Sequence, residues 1–206
     1  MHHVNPENRQ PADRWLPLLA LLALISTPDA AFAHNEAGIS GGFLSGFLHP
    51  LFGWDHIVAM VAVGLWGAFL GWPAIWVLPV VFPLVMVLGG VLGIVGVPVP
   101  FVETGIALSA IVLGVLVAMA TRAPIWAAAV IVGLFAIFHG HAHGTELPAA
   151  SNPIAYAIGF VIATGLLHLT GIAFGMLTRW PSGQYAVRAG GVVIAAVGLA
   201  FLTHIV

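Results

Sequence analysis

Beyond residue 50 the chain is a succession of long apolar stretches separated by short polar breaks. The stretches run at about 54–72, 75–96, 103–120, 124–140, 153–177 and 187–205. Each approaches or exceeds the ~20 residues an α-helix needs to cross a bilayer core. The breaks read "GWPA", "GVPVPF", "TRAP", "HGHAHGTELPAASNP" and "TRWPSGQ", and proline and glycine are the strongest interruptions of a helical pattern. Asn152-Pro153 has the form of an N-cap followed by proline at the first helical position. The pattern predicts an all-α polytopic membrane protein with six transmembrane helices. Ahead of them, "GISGGFLSGFLHPLFG" (38–53) is apolar and glycine-rich but too short to span. It predicts a re-entrant or interfacial segment, since irregular backbone at membrane depth survives only when buried in protein or lining a cavity.

The start of the chain follows a different pattern. Residues 1–15 are polar and carry Arg9 and Arg14, Leu16–Ile25 is a short apolar core, and Ala31-Phe32-Ala33 is a small-x-small cleavage pattern. This predicts a signal peptide over 1–33, because the core is too short for a span. The six-helix transmembrane domain then occupies 34–206. Cleavage after Ala33 would make His34 the new N-terminus, where the α-amine and imidazole together could chelate a divalent metal.

Composition agrees with a membrane setting. Apolar residues make up 61% of the chain and charged residues 6%, against about 25% charged in a soluble domain. So few charges could not cover a surface in water. The net charge of −2 gives no reason to expect a nucleic-acid partner. The absence of cysteine excludes disulfides, thiolate metal sites and cysteine nucleophiles. Ten histidines outnumber five arginines, and lysine is absent.

Arginine orients the spans. If a signal peptide exports the mature N-terminus, six spans place Arg122, Arg179 and Arg188 in cytoplasmic loops, in keeping with the positive-inside rule. Both mature termini are then periplasmic. The periplasmic side also receives His34, Glu36, His49, Asp55, His56, Glu103, the histidine-rich loop and His204. Imidazoles and carboxylates on one side, with arginines on the other, form the layout of a cation entrance. Trp54, Trp72, Trp76, Trp126 and Trp180 lie near span ends, as interfacial anchors do.

Four places carry candidate chemistry, the last of them a single buried histidine. "HPLFGWDH" (49–56) breaks the chain at His49-Pro50 and puts Asp55 and His56 in the first turn of a helix. The helix dipole alone accounts for an acid there, but it disfavours a protonated His56. Imidazole with carboxylate is a ligand set for divalent transition metals. Met60 follows His56 by one helical turn and shares its face. "FHGHAHGTELP" (138–148) holds His139, His141, His143 and Glu146, and a histidine-rich tract is a compositional metal signal. His139 and His143 share a face if the helix continues, although Gly140 and Gly144 weaken it. The bland alternative is a solvated, pH-sensitive loop. Glu103 heads the third span, where a helix-start acid is equally expected. Last, His168 lies deep in the fifth span, past the midplane of a ~30 Å core. An ionisable group there is a functional candidate by default, with a hydrogen-bonded structural histidine as the alternative. Thr164 precedes it by one turn on the same face.

"HPLFGWDHIVAMVAVGLWGA" (49–68) closely resembles the signature of the HupE/UreJ family of nickel permeases, as do "GGFLSGFLHP", "FHGHAHGTELP" and the signal peptide ending before "HNEAG". The resemblance covers nearly the whole mature chain. It implies a bacterial inner-membrane secondary transporter for Ni²⁺, sometimes Co²⁺, that commonly serves hydrogenase or urease maturation. It further implies that His49, Asp55 and His56 take part in transport, with His139, His141, His143 and Glu146 matching the second motif. The larger nickel/cobalt transporter family has a related His…Asp-His motif with four intervening residues, where this chain has five. Ligand geometry therefore does not carry over from it.

The expected function is import of Ni²⁺ or Co²⁺ as transported substrate, with no permanently bound cofactor and no enzymatic activity. No G-x-x-x-x-G-K-[ST] phosphate loop is present, so the driving energy must come from a gradient. A dication crossing 100 mV gains about 4.6 kcal/mol, twice the ~2.3 per unit charge. The residues also admit a non-transporting metal-binding accessory or sensor protein. A haem protein with His56 and His168 as axial ligands fits less well, because most histidines lie at one face. "GISG" (38–41) formally matches a serine-nucleophile pattern but lies outside any span.

Overall fold

The structure is a computed structural model that describes residues 42–146 and 152–203. The expected signal peptide, His34, Glu36 and His204 lie outside the described residues. Among the described residues the fold is all helical. The elements are α1 (Phe43–Phe52), α2 (Trp54–Leu70), α3 (Ala74–Ile94), α4 (Val102–Ala118), α5 (Ile125–Glu146), α6 (Pro153–Gly175), a 3₁₀ turn (Met176–Arg179) and α7 (Pro181–Leu202). Four segments are long and apolar enough to cross a membrane: α3, α5, α6 with its 3₁₀ turn, and α7. A fifth arises if α1 and α2, bent by 79° at Gly53, are taken as one broken span, while α4 is a shorter apolar helix.

Two boundaries differ from the hydropathy reading. The fourth apolar run does not stop at 140, because α5 continues through the histidine-rich tract to Glu146. The glycines that weaken this helix are required by its neighbour. A Cβ on Gly140 would collide with the Met86 carbonyl, and one on Gly144 with the Gly90 carbonyl of α3. Close backbone approach at small residues replaces the missing hydrophobic drive between helices in lipid. The last helix starts at Pro181 rather than at 187, since proline is favoured in the first turn, where its missing N–H costs no helical bond. Asn152 does cap α6, accepting from the Ala155 N–H at 3.0 Å.

Glycine contacts define the packing. Gly89 and Gly93 of α3 rest on Ile137 and His141 of α5, so these helices run parallel. Gly64 of α2 rests on the His168 carbonyl and Gly171 of α6, and Gly175 on Leu65 and Ala68, again parallel. Gly114 of α4 meets Gly191 and Ala195 of α7, and Gly198 meets Ile111, which makes that pair antiparallel. The core between them holds Met60, Trp66, Leu78, Phe82 and Leu113, all fully buried. The exposed side chains are also apolar, among them Val80, Leu84, Leu88, Val130, Leu134, Ile162 and Val193. A surface of this kind suits lipid rather than water.

The two ends of the bundle differ in chemistry. The N-terminal ends of α2, α4 and α6 gather with the C-terminal ends of α3 and α5, and all the candidate ligands of the two motifs lie there. At the other end Arg122 sits 6.0 Å over the Phe69 ring, Arg188 Nε donates to the Ala118 carbonyl at 2.7 Å, and Trp66 Nε1 donates to the Thr121 carbonyl at 3.0 Å. Along α2, Asp55 and Phe69 are separated by about 21 Å at ~1.5 Å rise per residue.

Candidate metal site

The site begins at a bend. Gly53 closes α1 and opens α2 with extended backbone (φ −81°, ψ 109°). Its N–H donates to the His49 carbonyl, which fixes the end of α1 beside the start of α2. A Cβ on Gly53 would stand 2.7 Å from His56 Nδ1 and 2.9 Å from Asp55 Oδ1. Only glycine leaves that space undisturbed, so the residue serves the side chains beside it more than its own backbone.

In this space His56 Nδ1–H donates to Asp55 Oδ1 at 2.8 Å. A neutral imidazole carries one N–H, so the carboxylate sets the tautomer and leaves His56 Nε2 with its lone pair. That nitrogen faces His143 Nε2 at 2.6 Å. The arrangement matches the carboxylate–histidine pairs that orient metal-binding imidazoles and raise their basicity. An ion taking His56 Nε2 would displace His143 from a hydrogen bond into a ligand position.

His49 completes the first triad. Its ring lies 5.3 Å from His56 and 4.9 Å from His143 between centroids. Donor atoms of His49, His56 and His143 all lie within 4.8 Å of one another, as do those of Asp55, His56 and His139. His56 belongs to both triads. Tyr156 and Phe160 of α6 wall the site on one side, with Phe160 4.6 Å from the His143 ring.

His139 is held by a residue of α4 that the sequence did not single out. Ser109 of α4 donates its single hydroxyl proton to the Ile106 carbonyl at 2.6 Å. It can therefore only accept from His139 Nε2, which lies 3.0 Å away. His139 Nε2 then carries the proton and Nδ1 is bare. That Nδ1 is buried and has no hydrogen-bond partner, an acceptor held ready for an electrophile. Nothing in the surrounding "GIALSAIVLG" marks Ser109 as a site residue.

The remaining candidates are placed as follows. His141 lies on another face of α5, and its Nε2–H donates to the Val97 carbonyl at 2.9 Å. It belongs to neither triad. Val97 is held there because Gly96 takes a left-handed turn (φ 76°) and the Val97 N–H returns to the Leu92 carbonyl, a Schellman ending of α3. Met60 is fully buried one turn after His56. Glu103 is exposed in the first turn of α4. The backbone of Glu146 ends α5, and His34 lies outside the described residues. His168 is 1% exposed, belongs to neither triad and packs against Phe82.

Chemically, the cluster offers imidazole nitrogens and one carboxylate with no cationic side chain among the described residues at that end. Such a donor set suits a borderline divalent ion of the nickel, cobalt or zinc kind. No solved structure matches this fold. The chain is 45% identical over 190 residues, 92% of its length and 98% of the relative's, to Protein HupE of Rhizobium leguminosarum bv. viciae. Residues 22–201 match the family described as HupE / UreJ protein. The helical membrane chain that carries this histidine cluster is thus a member of the HupE / UreJ family.

Proposed function

We propose that the protein is a secondary transporter that imports Ni²⁺, or Co²⁺, across the bacterial inner membrane and supplies hydrogenase or urease. The observation that carries this reading is the convergence of His49, Asp55, His56, His139 and His143 from α1, α2 and α5 within ligand reach. His56 is shared between the triads, so an ion could pass from one to the other without losing all its protein ligands. Nitrogen and oxygen donors also release an ion more readily than thiolates would, which a carrier needs.

The reading includes six membrane passes after a signal peptide, with the site at the periplasmic mouth. Helix directions support the count: α2 with α6, and α3 with α5, run parallel, while α4 opposes α7. Six alternating passes require all three relations. The arginines at the far end support the orientation by the positive-inside rule.

The test is ⁶³Ni²⁺ flux into proteoliposomes with an inside-negative potential. Wild type accumulates more nickel as the potential is raised, and His56→Ala does not. Saturable binding without flux would instead assign the protein to metal binding as an accessory or sensor.

A further inference from the structure

Below the triads, Phe82 of α3 is fully buried. Its ring centroid lies 5.5 Å from that of His139 and 5.7 Å from that of His168, edge-on to both. His168 is buried with neither ring nitrogen hydrogen-bonded, and Thr164, one turn earlier on α6, buries its Oγ1 without a partner as well. Buried polar groups are satisfied in the great majority of cases, and one helix face here carries three orphaned polar atoms. Helix α6 cannot pull them away, because Gly64 of α2 packs directly on the His168 carbonyl. His168 also lines a cleft of about 310 Å³ between α3 and α6, with Trp76, Pro79, Val80 and Leu169 among its walls. That cleft is too apolar to conduct an ion, but it gives the imidazole room to turn.

We propose that His168 and Thr164 form a second station for the divalent ion, and that the Phe82 ring, in contact with both His139 and His168, is the gate separating it from the outer triads. An imidazole nitrogen and a hydroxyl supply two ligands, and water retained by the ion supplies the rest. Such a station holds the ion more loosely than the triads do, which favours onward movement. Phe82 packs against one histidine of each site, so in this proposal the ion passes when the ring swings aside. The proposal rests on the transport reading for its purpose, but the station itself is a binding site that can be tested without flux.

The binding arm uses the tag-free full chain in detergent, titrated with Ni²⁺ up to 1 mM and assayed for bound metal per chain. His56→Ala, with the outer triads disabled, should retain a weak ion that His56→Ala/His168→Gln loses. Equal binding by these two variants, with equal thermal stability, overturns the station. Comparing the pair cancels any contribution from His2, His3 and His34. In the flux arm, His168→Gln should lower ⁶³Ni²⁺ uptake at least about 10-fold, as loss of a group acting on a bound metal does. Its outer-site Kd should stay within about 2-fold, because distant sites are close to independent. Phe82→Leu should raise flux while both binding events persist, and unchanged or lower flux with both sites intact removes the ring from the path. If wild type shows no flux at all, the transport reading fails, while the binding arm still decides the station.

Discussion

The outer imidazoles and the inner His168, both in contact with Phe82, use the same donor atom but are built differently. In the outer group the rings are held by a neighbour: Asp55 holds His56 at 2.8 Å, and Ser109 holds His139 at 3.0 Å. The inner His168 has nothing on either nitrogen. Fixing a tautomer and a ring plane before the ion arrives removes an ordering cost from binding. The outer group is thus organised to capture a dilute ion, and the inner one to hold it briefly. Changes to the partners of the outer rings should make that group behave more like the inner one.

The largest effect should come from His56→Ala, which takes a donor from both triads. Nickel affinity, measured by titration calorimetry, should fall by more than the ~10- to 100-fold typical of outer-shell changes. A loss smaller than that range would mean that the triads do not share an ion through His56. Next comes Asp55→Asn. The amide oxygen can still accept from His56 Nδ1–H, so the geometry survives while the charge that raises imidazole basicity is gone. The expected loss lies within the ~10- to 100-fold range. If it equals that of His56→Ala, Asp55 is itself a ligand rather than the orienting partner. Ser109→Ala should act more gently, by about 10-fold. It removes only the acceptor for His139 Nε2–H, so imidazole ¹⁵N shifts should show His139 populating both tautomers. A single tautomer in the variant would show that Ser109 does not set it.

This ranking also marks how far the sequence could be read. Hydropathy located the helices to within a few residues at most ends, because each long apolar run needs its own helix in lipid. His49, Asp55 and His56 were legible as one group because they flank a single break. His139 and His143 were legible only on condition that α5 continued past Gly140. Intrinsic propensity argued against that, and the answer lay in the Met86 and Gly90 carbonyls of a helix some fifty residues earlier in the chain. Ser109 and Phe82 were not legible at all. Each is an ordinary residue for its helix, and only tertiary packing brings one against a ring nitrogen and the other into contact with two histidines. The break itself was read at His49-Pro50, whereas Pro50 lies inside α1 and the chain turns at Gly53, whose missing Cβ leaves the space that lets Asp55 reach His56.

The smallest expected effect on metal sharpens the comparison from within one helix. His141 stands between His139 and His143 in sequence, and the second motif groups all three. The helical phase sends it to the Val97 carbonyl instead, at the turn joining α3 to α4. Its contribution should therefore be to stability. His141→Leu strips a donor from that carbonyl, and an unsatisfied buried acceptor costs about 1–3 kcal/mol. Val97 is 44% exposed, so water can replace part of the bond and the lower end of that range applies. His141→Gln can place an amide N–H near the same point and should recover most of the loss in a thermal melt. Nickel affinity should stay within about 2-fold in both variants, as for sites without shared partners. If His141→Leu weakens nickel binding about as much as Ser109→Ala does, His141 shares the site after all. The division of α5 into a metal face and a structural face would then be wrong.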